Sequence, residues 1–285
     1  MRKLIYVPPN TNESVTLTAA EPFILSTVSG LGGVENSMIY SEVVGMDGVF
    51  YHGSKKEPRE IPCTVYVKGK NREDMYRQRL KIIGLLRASN GMGTLYYSND
   101  CISVKIGAVP RVPPDFVERI KNYNKADLKF FCPSPLLQSL ETKTASIAKI
   151  NGIGFSMPFS FPVTFSHIRN EIVISNLGTS STPVTITITG AGVDPAITNT
   201  ANGKTISLLD KTLSEGEQLI INTERGHKSV KLVSNGVVSD GFQYINPLSE
   251  FWELEVGENK IVYSSEDNAE ATSIVITYNE RFEGV

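Results

Sequence analysis

Four glutamates surround the only tryptophan of the chain, and their spacing comes nearest to a chemical function. Glu250, Glu253, Glu255 and Glu258 flank Trp252, and Glu253 and Glu255 would share one face of a strand. A retaining glycosidase needs two carboxyl groups about 5–5.5 Å apart on either side of a sugar. Three interpretations stay open: a glycan contact through Trp252 and Glu253, a glycosidase carboxylate at Glu253 or Glu255, or a solvated surface beside a core tryptophan.

The histidines and cysteines do not have the spacing of a metal site. They are His52, His167 and His227, and Cys63, Cys101 and Cys132. Zinc sites draw their ligands from short motifs such as CxxC or HExxH, and the sequence has neither. Three widely spaced cysteines are typical of reduced thiols and not of a disulfide framework.

Phosphate, ester and calcium chemistry lack their motifs as well. From Gly48 to Lys55 the sequence approaches a phosphate-binding loop, but Ser54 separates the second glycine from the lysine. There is no GxSxG nucleophile motif. The acidic run 266–270 lacks the spaced oxygen ligands of a calcium loop and is interpreted as a solvated turn. We expect no enzymatic activity, no catalytic residue, no metal and no cofactor, and the glycosidase stays the least favoured of the three interpretations.

In the second half of the chain, the elements that would position such residues are short strands. Asn-Gly pairs at 202–203 and 235–236 mark turns between them. Along 155–165 aromatic residues alternate with Ser, Thr and Pro, which indicates a core face, with a ligand platform as the alternative. The other predicted strands are 172–176, 184–190, 196–199, 205–208, 218–222, 230–233, 259–264 and 272–279. Without a helical stripe, this pattern predicts a β-sandwich or jelly roll.

The first half of the chain has one helix pattern, over residues 72–89. Asn71 is a suitable N-cap, and Asn90-Gly91 suits a left-handed helix end. Apolar residues three to four apart predict one buried stripe, formed by Tyr76, Leu80, Ile83 and Leu86. The basic residues lie largely elsewhere and form either a solvated face or a partner-binding face.

Strand patterns surround this helix. Strict alternation over 60–68 predicts a half-buried strand whose inner residues are Ile61, Cys63, Val65 and Val67. Asp47-Gly48 is a hairpin-turn signal, and 51–58 is interpreted as a polar loop. Residues 105–132 are predicted to form a long hairpin arm, in which the prolines of 110–114 break the sheet or follow its edge.

The sequence changes character at Phe130-Phe131-Cys132-Pro133-Ser134-Pro135. A strand can reach Cys132, but the prolines lack backbone N–H groups and end it. We predict a domain boundary here, with one domain over 1–135 and the other over 136–285. Phe130 and Phe131 should point to opposite faces, one into the core and one toward a neighbour or the linker.

Charge separates the same two parts of the chain. The net charge of −2 gives no general attraction to nucleic acid or anionic membranes. Residues 1–150 hold 20 Lys and Arg against 14 Asp and Glu, whereas residues 151–285 hold 8 against 16. These opposite excesses either join copies head to tail or form solvated surfaces. The apolar start is too short for a cleaved signal, so synthesis in a host cytoplasm without export is expected.

Loose motifs along nearly the whole chain point to one family. In the first half they are Gly45-Met46-Asp47-Gly48, the strand 59–65, the Arg-rich helix, Leu95-Tyr96-Tyr97 and Phe131-Cys132-Pro133-Ser134-Pro135. In the second half they are 172–178, 183–186, Phe251-Trp252-Glu253-Leu254, 257–261 and 278–285. With these motifs the chain resembles the distal tail proteins of long-tailed phages, the siphophages.

The resemblance implies a structural phage tail protein and not an enzyme. Members of the family form a hexameric ring at the distal end of the tail tube and connect the tube to the baseplate and the receptor-binding apparatus. The implied fold is mainly β, with an N-terminal β-sandwich or barrel-like domain, one α-helix, a hairpin arm and a C-terminal galectin-like jelly-roll sandwich. The implied location is the virion of a phage, a prophage product or a tail-like bacteriocin.

This interpretation predicts an oligomer or partner interface at Arg59, Tyr66, Arg77, Arg111 and Phe131. The expected partners are further copies of the chain, the tail tube, tape-measure and tail-tip proteins and receptor-binding proteins, with no specific nucleic acid and no membrane. The alternative function is a carbohydrate-binding module. It would recognise cell-wall glycan through the C-terminal sandwich, with Trp252 and Glu253 in contact with the sugar.

Overall fold

Antiparallel strands make up most of the structure, a computed structural model that describes residues 2–9, 11, 13–148, 171–190, 192–266 and 273–285. The chain divides into two units. The first unit comprises Met1–Leu140 and Arg281–Val285, and the second comprises Glu141–Glu280. The division falls shortly after the predicted boundary between 135 and 136, and the chain returns to the first unit at Arg281. The division into domains 1–135 and 136–285 stays a prediction.

The first unit is built from strands around one α-helix. In chain order its elements are β1 (Lys3–Val7), β2 (Val15–Leu17), β3 (Phe23–Val28), β4 (Asn36–Ser41), β5 (Phe50–Lys56), β6 (Arg59–Lys68), α1 (Arg72–Leu85), β7 (Gly93–Ser98), β8 (Ser103–Ile120), β9 (Tyr123–Cys132) and β10 (Leu137–Ser139). A short 3₁₀ turn, Ala88–Asn90, follows α1.

The main sheet of the first unit has the order β2-β1-β7-β8-β9-β6-β3 with antiparallel neighbours. Strand side chains alternate between faces, and the apolar set of each strand covers one core. The inner residues of β6 are buried as predicted: Ile61, Cys63, Val65 and Val67. Phe130 on β9 is also in this core, with its ring centroid 5.2 Å from that of Tyr6.

Strands β8 and β9 form the predicted long hairpin, and this hairpin is part of the main sheet. Strand β9 pairs with β6 from Arg59↔Cys132 to Lys68↔Tyr123. The prolines of 110–114 do not end β8, which continues through register shifts at Pro110, Val112 and Phe116. Strand β7 pairs with β8 only up to Ala108, so this stretch of β8 follows a sheet edge, where missing N–H groups cost little.

Helix α1 begins as predicted and ends earlier. The Asn71 side chain accepts a hydrogen bond from the Asp74 amide at 2.8 Å, but the C-cap is Leu86 and not a residue near Asn90. The predicted stripe is confirmed at Leu86 but wrong at Tyr76 and Leu80, which are exposed. The buried face is formed by Met75, Ile82 and Leu86. Both sets have helical spacing, so packing against the sheet decides which one is covered.

The second unit is formed by strands alone among its described residues, apart from a 3₁₀ turn at Phe242–Tyr244. Its strands are β11 (Lys143–Ala148), β12 (Glu171–Asn176), β13 (Val184–Thr189), β14 (Gly192–Val193), β15 (Ala196–Asn199), β16 (Lys204–Ser207), β17 (Thr212–Leu213), β18 (Gln218–Asn222), β19 (Ser229–Ser234), β20 (Val237–Asp240), β21 (Gly257–Ser264) and β22 (Ser273–Tyr278). The predicted strand over 155–165 lies outside the described residues.

Two sheets of the second unit share one core, which makes this unit a sandwich. One sheet has the order β11-β22-β13-β18-β19-β20, and the other has β12-β21-β15-β16. Ile186 and Ile276 from the first sheet lie in the same apolar cluster as Ile197 and Ile261 from the second. The mainly β fold class is thus confirmed.

After β22 the chain re-enters the first unit through β23 (Arg281–Phe282). Strand β23 pairs with β10, where Leu137 faces Phe282 and Gln138 faces Arg281, and β10 pairs in turn with β8. Sequence patterns did not indicate this return, because two residues are too few for a periodic signal. Of the helices that the structure describes, none has the length and apolar character to cross a membrane.

Candidate assembly surface

A hairpin of the first unit exposes an unusual number of large apolar side chains. It consists of β4, β5 and the loop between them, and we call these residues, 36–56, the arm. The arm is a different hairpin from that of β8 and β9, which was predicted over 105–132. The exposed fraction of its large apolar residues ranges from 46% at Val43 to 103% at Val44. These residues are Met38, Ile39, Tyr40, Val43, Val44, Met46, Val49, Phe50 and Tyr51. The arm forms a two-stranded sheet of its own, separate from the main sheet.

Local chemistry explains why the arm is a hairpin. Strands β4 and β5 pair from Asn36↔Lys56 to Ser41↔Phe50, with a register shift after Ile39. In the loop, Gly45 and Gly48 have φ of 87° and 90°, a region that glycine enters without strain. The Asp47-Gly48 turn signal is therefore confirmed, whereas the polar loop predicted over 51–58 is wrong. Pairing with β4 makes most of that segment a strand despite its polar composition.

Both faces of the arm are apolar, which sets it apart from the other strands of the unit. Met38, Ile39 and Tyr40 are consecutive, so their side chains point alternately to both sides of the ribbon. An isolated two-stranded hairpin is marginally stable in water, and a contiguous exposed apolar patch marks an interaction surface. The sequence feature that could have indicated this surface is the run Met38-Ile39-Tyr40, in which apolar residues do not alternate with polar ones.

Arg59, a predicted interface residue, is instead buried at the base of the arm with 5% exposure. Its guanidinium donates to four backbone carbonyls, at 2.9 Å to Pro135, at 2.8 Å to Gly32, and also to Gly30 and Glu283. Burial lowers the pKa of the Arg59 guanidinium, yet arginine stays charged at neutral pH. The interface prediction for Arg59 is corrected: the side chain faces inward, where the four carbonyls offset the cost of burying its charge.

Three of the other predicted interface residues lie on the outer side of the main sheet. Phe131 faces Glu60 across β6 and β9, and Arg111 forms an ion pair with Glu60. The Lys129 ammonium, 2.9 Å from Glu60, holds the pKa of that carboxyl below its usual range, and Arg111 adds to this effect. Tyr66 is farther along β6, opposite Lys125, and is half-buried.

Arg77 stands apart on α1, where it is exposed and lies 3.8 Å from Glu73, four residues earlier on the helix. The structure therefore groups Arg111 and Phe131 around Glu60 and separates them from Arg77. A contact of Tyr66, Arg77, Arg111 or Phe131 with a partner stays a prediction.

The predicted glycan contact is not available at Trp252. This side chain is 1% exposed in the core of the second unit, and its indole N–H donates to the Ile197 carbonyl at 3.2 Å. Glu253 is engaged too, since its carboxylate accepts from Ser181 at 2.7 Å and from Arg225 at 3.0 Å. The prediction of sugar stacking on Trp252 is therefore corrected, because core packing covers both faces of the ring.

Among the residues that the structure describes, no three His, Cys, Asp or Glu side chains are placed to hold a metal ion. Burial raises the pKa of Cys63 and of Cys132 to about 12, which keeps both thiols protonated. His167 and most of the acidic run 266–270 lie outside the described residues.

Two protein-family models match the chain, one in each half. The model described as phage tail protein RIFT-related domain matches residues 11–132. The model described as siphovirus-type tail component, C-terminal domain, matches residues 177–282. Together the two matches cover most of the chain. No curated protein is detectably similar in sequence.

Solved structures with a similar fold span the whole chain. One is the Dit protein of phage SPP1, described as a paradigm of the hub adsorption apparatus in phages that infect Gram-positive bacteria. Its TM-score is 0.71 at 13% identity, with 99% of each chain covered. A chain of the phage P2 baseplate in its activated conformation with calcium has a TM-score of 0.54 at 12% identity, with 100% of each chain covered. At such identities the likeness shows the fold alone.

Proposed function

The chain belongs to the siphophage distal tail protein family, a family of structural tail and baseplate components, and we propose that its copies assemble into a ring at the distal end of the tail tube. The ring is hexameric, as the resemblance implies. It joins the tube to the tail tip and to receptor-binding proteins in the virion. The chain acts by forming interfaces and has no enzymatic activity.

The arm is the observation that carries this proposal. Its exposed apolar side chains would be covered in an assembly, and burial of apolar surface stabilises by about 25 cal/mol per Å². An arm that lies on a neighbouring copy makes a contact between two different surfaces. Such head-to-tail contacts generate a closed ring when the rotation between copies closes. The surface that receives the arm is therefore a different part of the next copy.

Native mass spectrometry and electron microscopy of the purified full chain test the ring directly. We expect wild-type protein to form six-membered rings. The double substitution Val44→Asp, Met46→Asp should raise the concentration needed for assembly by at least about tenfold, because it places charges in a buried apolar contact. Both residues lie in the arm's loop, outside β4 and β5, so the hairpin pairing stays intact.

The matched control is Leu248→Asp, which adds a charge at a residue that is 88% exposed in the second unit. This variant should assemble like wild type. Rings of unchanged stability in the arm variant would refute the role of the arm. Wild-type protein that stays monomeric at every concentration, alone and with tail-tube and tail-tip proteins, would refute the ring.

A further inference from the structure

We propose that residues 281–285, which we call the strap, hold the base of the arm in the orientation that assembly requires. The inference rests on the proposed role of the arm as an assembly surface. It adds a positioning element that lies far from the arm in sequence. The strap follows the second unit in the chain but packs on the first.

The strap contacts both segments that lead into the arm. On the side of β4, the Val285 amide donates to the Leu31 carbonyl at 2.9 Å. On the side of β5, the Lys56 ammonium lies 2.6 Å from the Glu283 carboxylate. The two sides are joined to each other where the Glu57 amide donates to the Glu35 carbonyl at 2.9 Å. The strap thus closes over the root of the arm and leaves its loop exposed.

The buried guanidinium of Arg59 connects the strap to residues 30–33, which we call the lead-in of β4. The guanidinium donates to the carbonyls of Gly30 and Gly32 in the lead-in and to the carbonyl of Glu283 in the strap. Removal of the strap would take away one of these acceptors. A buried donor without its partner is costly, so the cation favours the closed arrangement.

Close packing supports the same conclusion. A Cβ atom on Gly284 would lie 2.5 Å from the carbonyl carbon of Gly32, so the two backbones touch without room for a side chain. The strap is anchored at its other end, where β23 pairs with β10 and Phe282 packs against the core of the unit.

The lead-in needs such support because of its sequence. Gly30-Leu31-Gly32-Gly33 contains three glycines, and glycine has the largest backbone freedom in the unconstrained chain. An arm on a loose lead-in would sample many orientations, and each assembly contact would have to restrict them again. A lead-in restrained by the strap is already ordered, and preorganisation of this kind strengthens association.

The first test is Gly284→Val in the full chain, with Gly33→Val as the matched control. A Cβ on Gly33 meets no atom within 4 Å, and its φ is not in the left-handed region, so the control adds the same side chain without a clash. In Gly284→Val we expect faster hydrogen exchange at 30–36 and 56–57 in the monomer. We also expect half-assembly at a concentration about tenfold higher than in wild type. Gly33→Val should show exchange no faster than wild type and half-assembly at no higher concentration, because its side chain meets no atom and only restricts the lead-in.

A milder pair of variants guards against loss of folding. Glu283→Lys removes the ion pair with Lys56 at a partly exposed position and should speed exchange at the arm base about twofold, the scale of a surface ion pair. The double variant Lys56→Glu, Glu283→Lys restores opposite charges and should reverse that change.

The possible outcomes test the strap and the ring independently of each other. Unchanged exchange at 30–36 and 56–57 in Gly284→Val would refute the strap even if rings form. Faster exchange combined with assembly at the wild-type concentration would refute its role in assembly. Absence of rings in wild type would refute the proposed function, while the exchange data would still decide whether the strap holds the arm base.

Discussion

Arg59 is the first residue of β6, and its charged side chain is buried in the interior of the first unit. It lies opposite Cys132 on the inner face of β6 and β9, and its donors reach carbonyls on three segments of the unit. A guanidinium offers five N–H donors in a fixed plane, which a lysine ammonium cannot reproduce. The buried charge is therefore matched to a set of carbonyls and not to a partner protein.

Trp252 gives the sharpest prediction at the residue scale. We expect Trp252→Ala to lower the free energy of unfolding of the second unit by about 3–5 kcal/mol, because it leaves a cavity and removes the hydrogen bond to the Ile197 carbonyl. Chemical denaturation followed by circular dichroism measures this loss. Leu248→Ala, at an exposed position, should change stability by less than about 0.5 kcal/mol. Loss of binding to a cell-wall glycan at unchanged stability would show that Trp252 is a contact residue after all.

At the scale of elements, α1 shows that helical spacing leaves the buried face undecided. The predicted stripe of residues 76, 80, 83 and 86 and the buried set of residues 75, 82 and 86 both have helical spacing, and an isolated helix would favour neither set. Ile82 and Leu86 lie in the core of the first unit, and Met75 is buried as well. The first set carries Leu80 at 71% exposure, with Arg79 stacked beside Tyr76 at 5.0 Å from its ring centroid.

This difference is measurable by paired substitutions in the monomer. Ile82→Ala should lower the free energy of unfolding by about 2–5 kcal/mol, since it opens a cavity under the helix. Leu80→Ala removes three carbon atoms at a solvated position and should change it by less than about 0.5 kcal/mol. Thermal unfolding followed by circular dichroism distinguishes the two. An equal or reversed order would mean that the helix buries its other face.

The same scale explains the arm. Two short strands cannot build a core of their own, and the arm lies outside the main sheet. Its apolar residues are therefore neither core nor ordinary surface, and their burial depends on an assembly.

At the scale of the whole molecule, the second unit is inserted into the sequence of the first. The first unit takes residues from both sides of Glu141–Glu280, and β10 and β23 pair with each other and with β8. The predicted domain 136–285 therefore contains the second unit together with two strands that belong to the first.

We predict that a fragment of residues 141–280 folds by itself and has the same urea midpoint as a fragment of residues 136–285. The additional segments 136–140 and 281–285 belong to the first unit, so we expect them to leave the stability of the second unchanged. Trp252 fluorescence reports this unfolding, because the ring is buried in the core of the second unit. A folded 136–285 beside an unfolded 141–280 would instead favour the boundary at residue 135.

Local patterns in the sequence determined much of this fold. The alternation over 60–68 identified the buried face of β6, Asn71 identified the start of α1, and the short segments after 170 identified a β-sandwich. These features depend on neighbours within a few residues, because side-chain direction and capping follow from local backbone geometry. The family resemblance was likewise visible in short motifs.

Other features were decided only by tertiary structure. Arg59 meets Glu283 across 224 residues of sequence, the buried face of α1 depends on the sheet below it, and Trp252 is covered by strands that are distant in the chain. The strap has too few residues for any periodic pattern, yet it restrains the base of the arm. Such contacts arise from long-range packing, in which each residue's environment is set by elements that local periodicity does not describe.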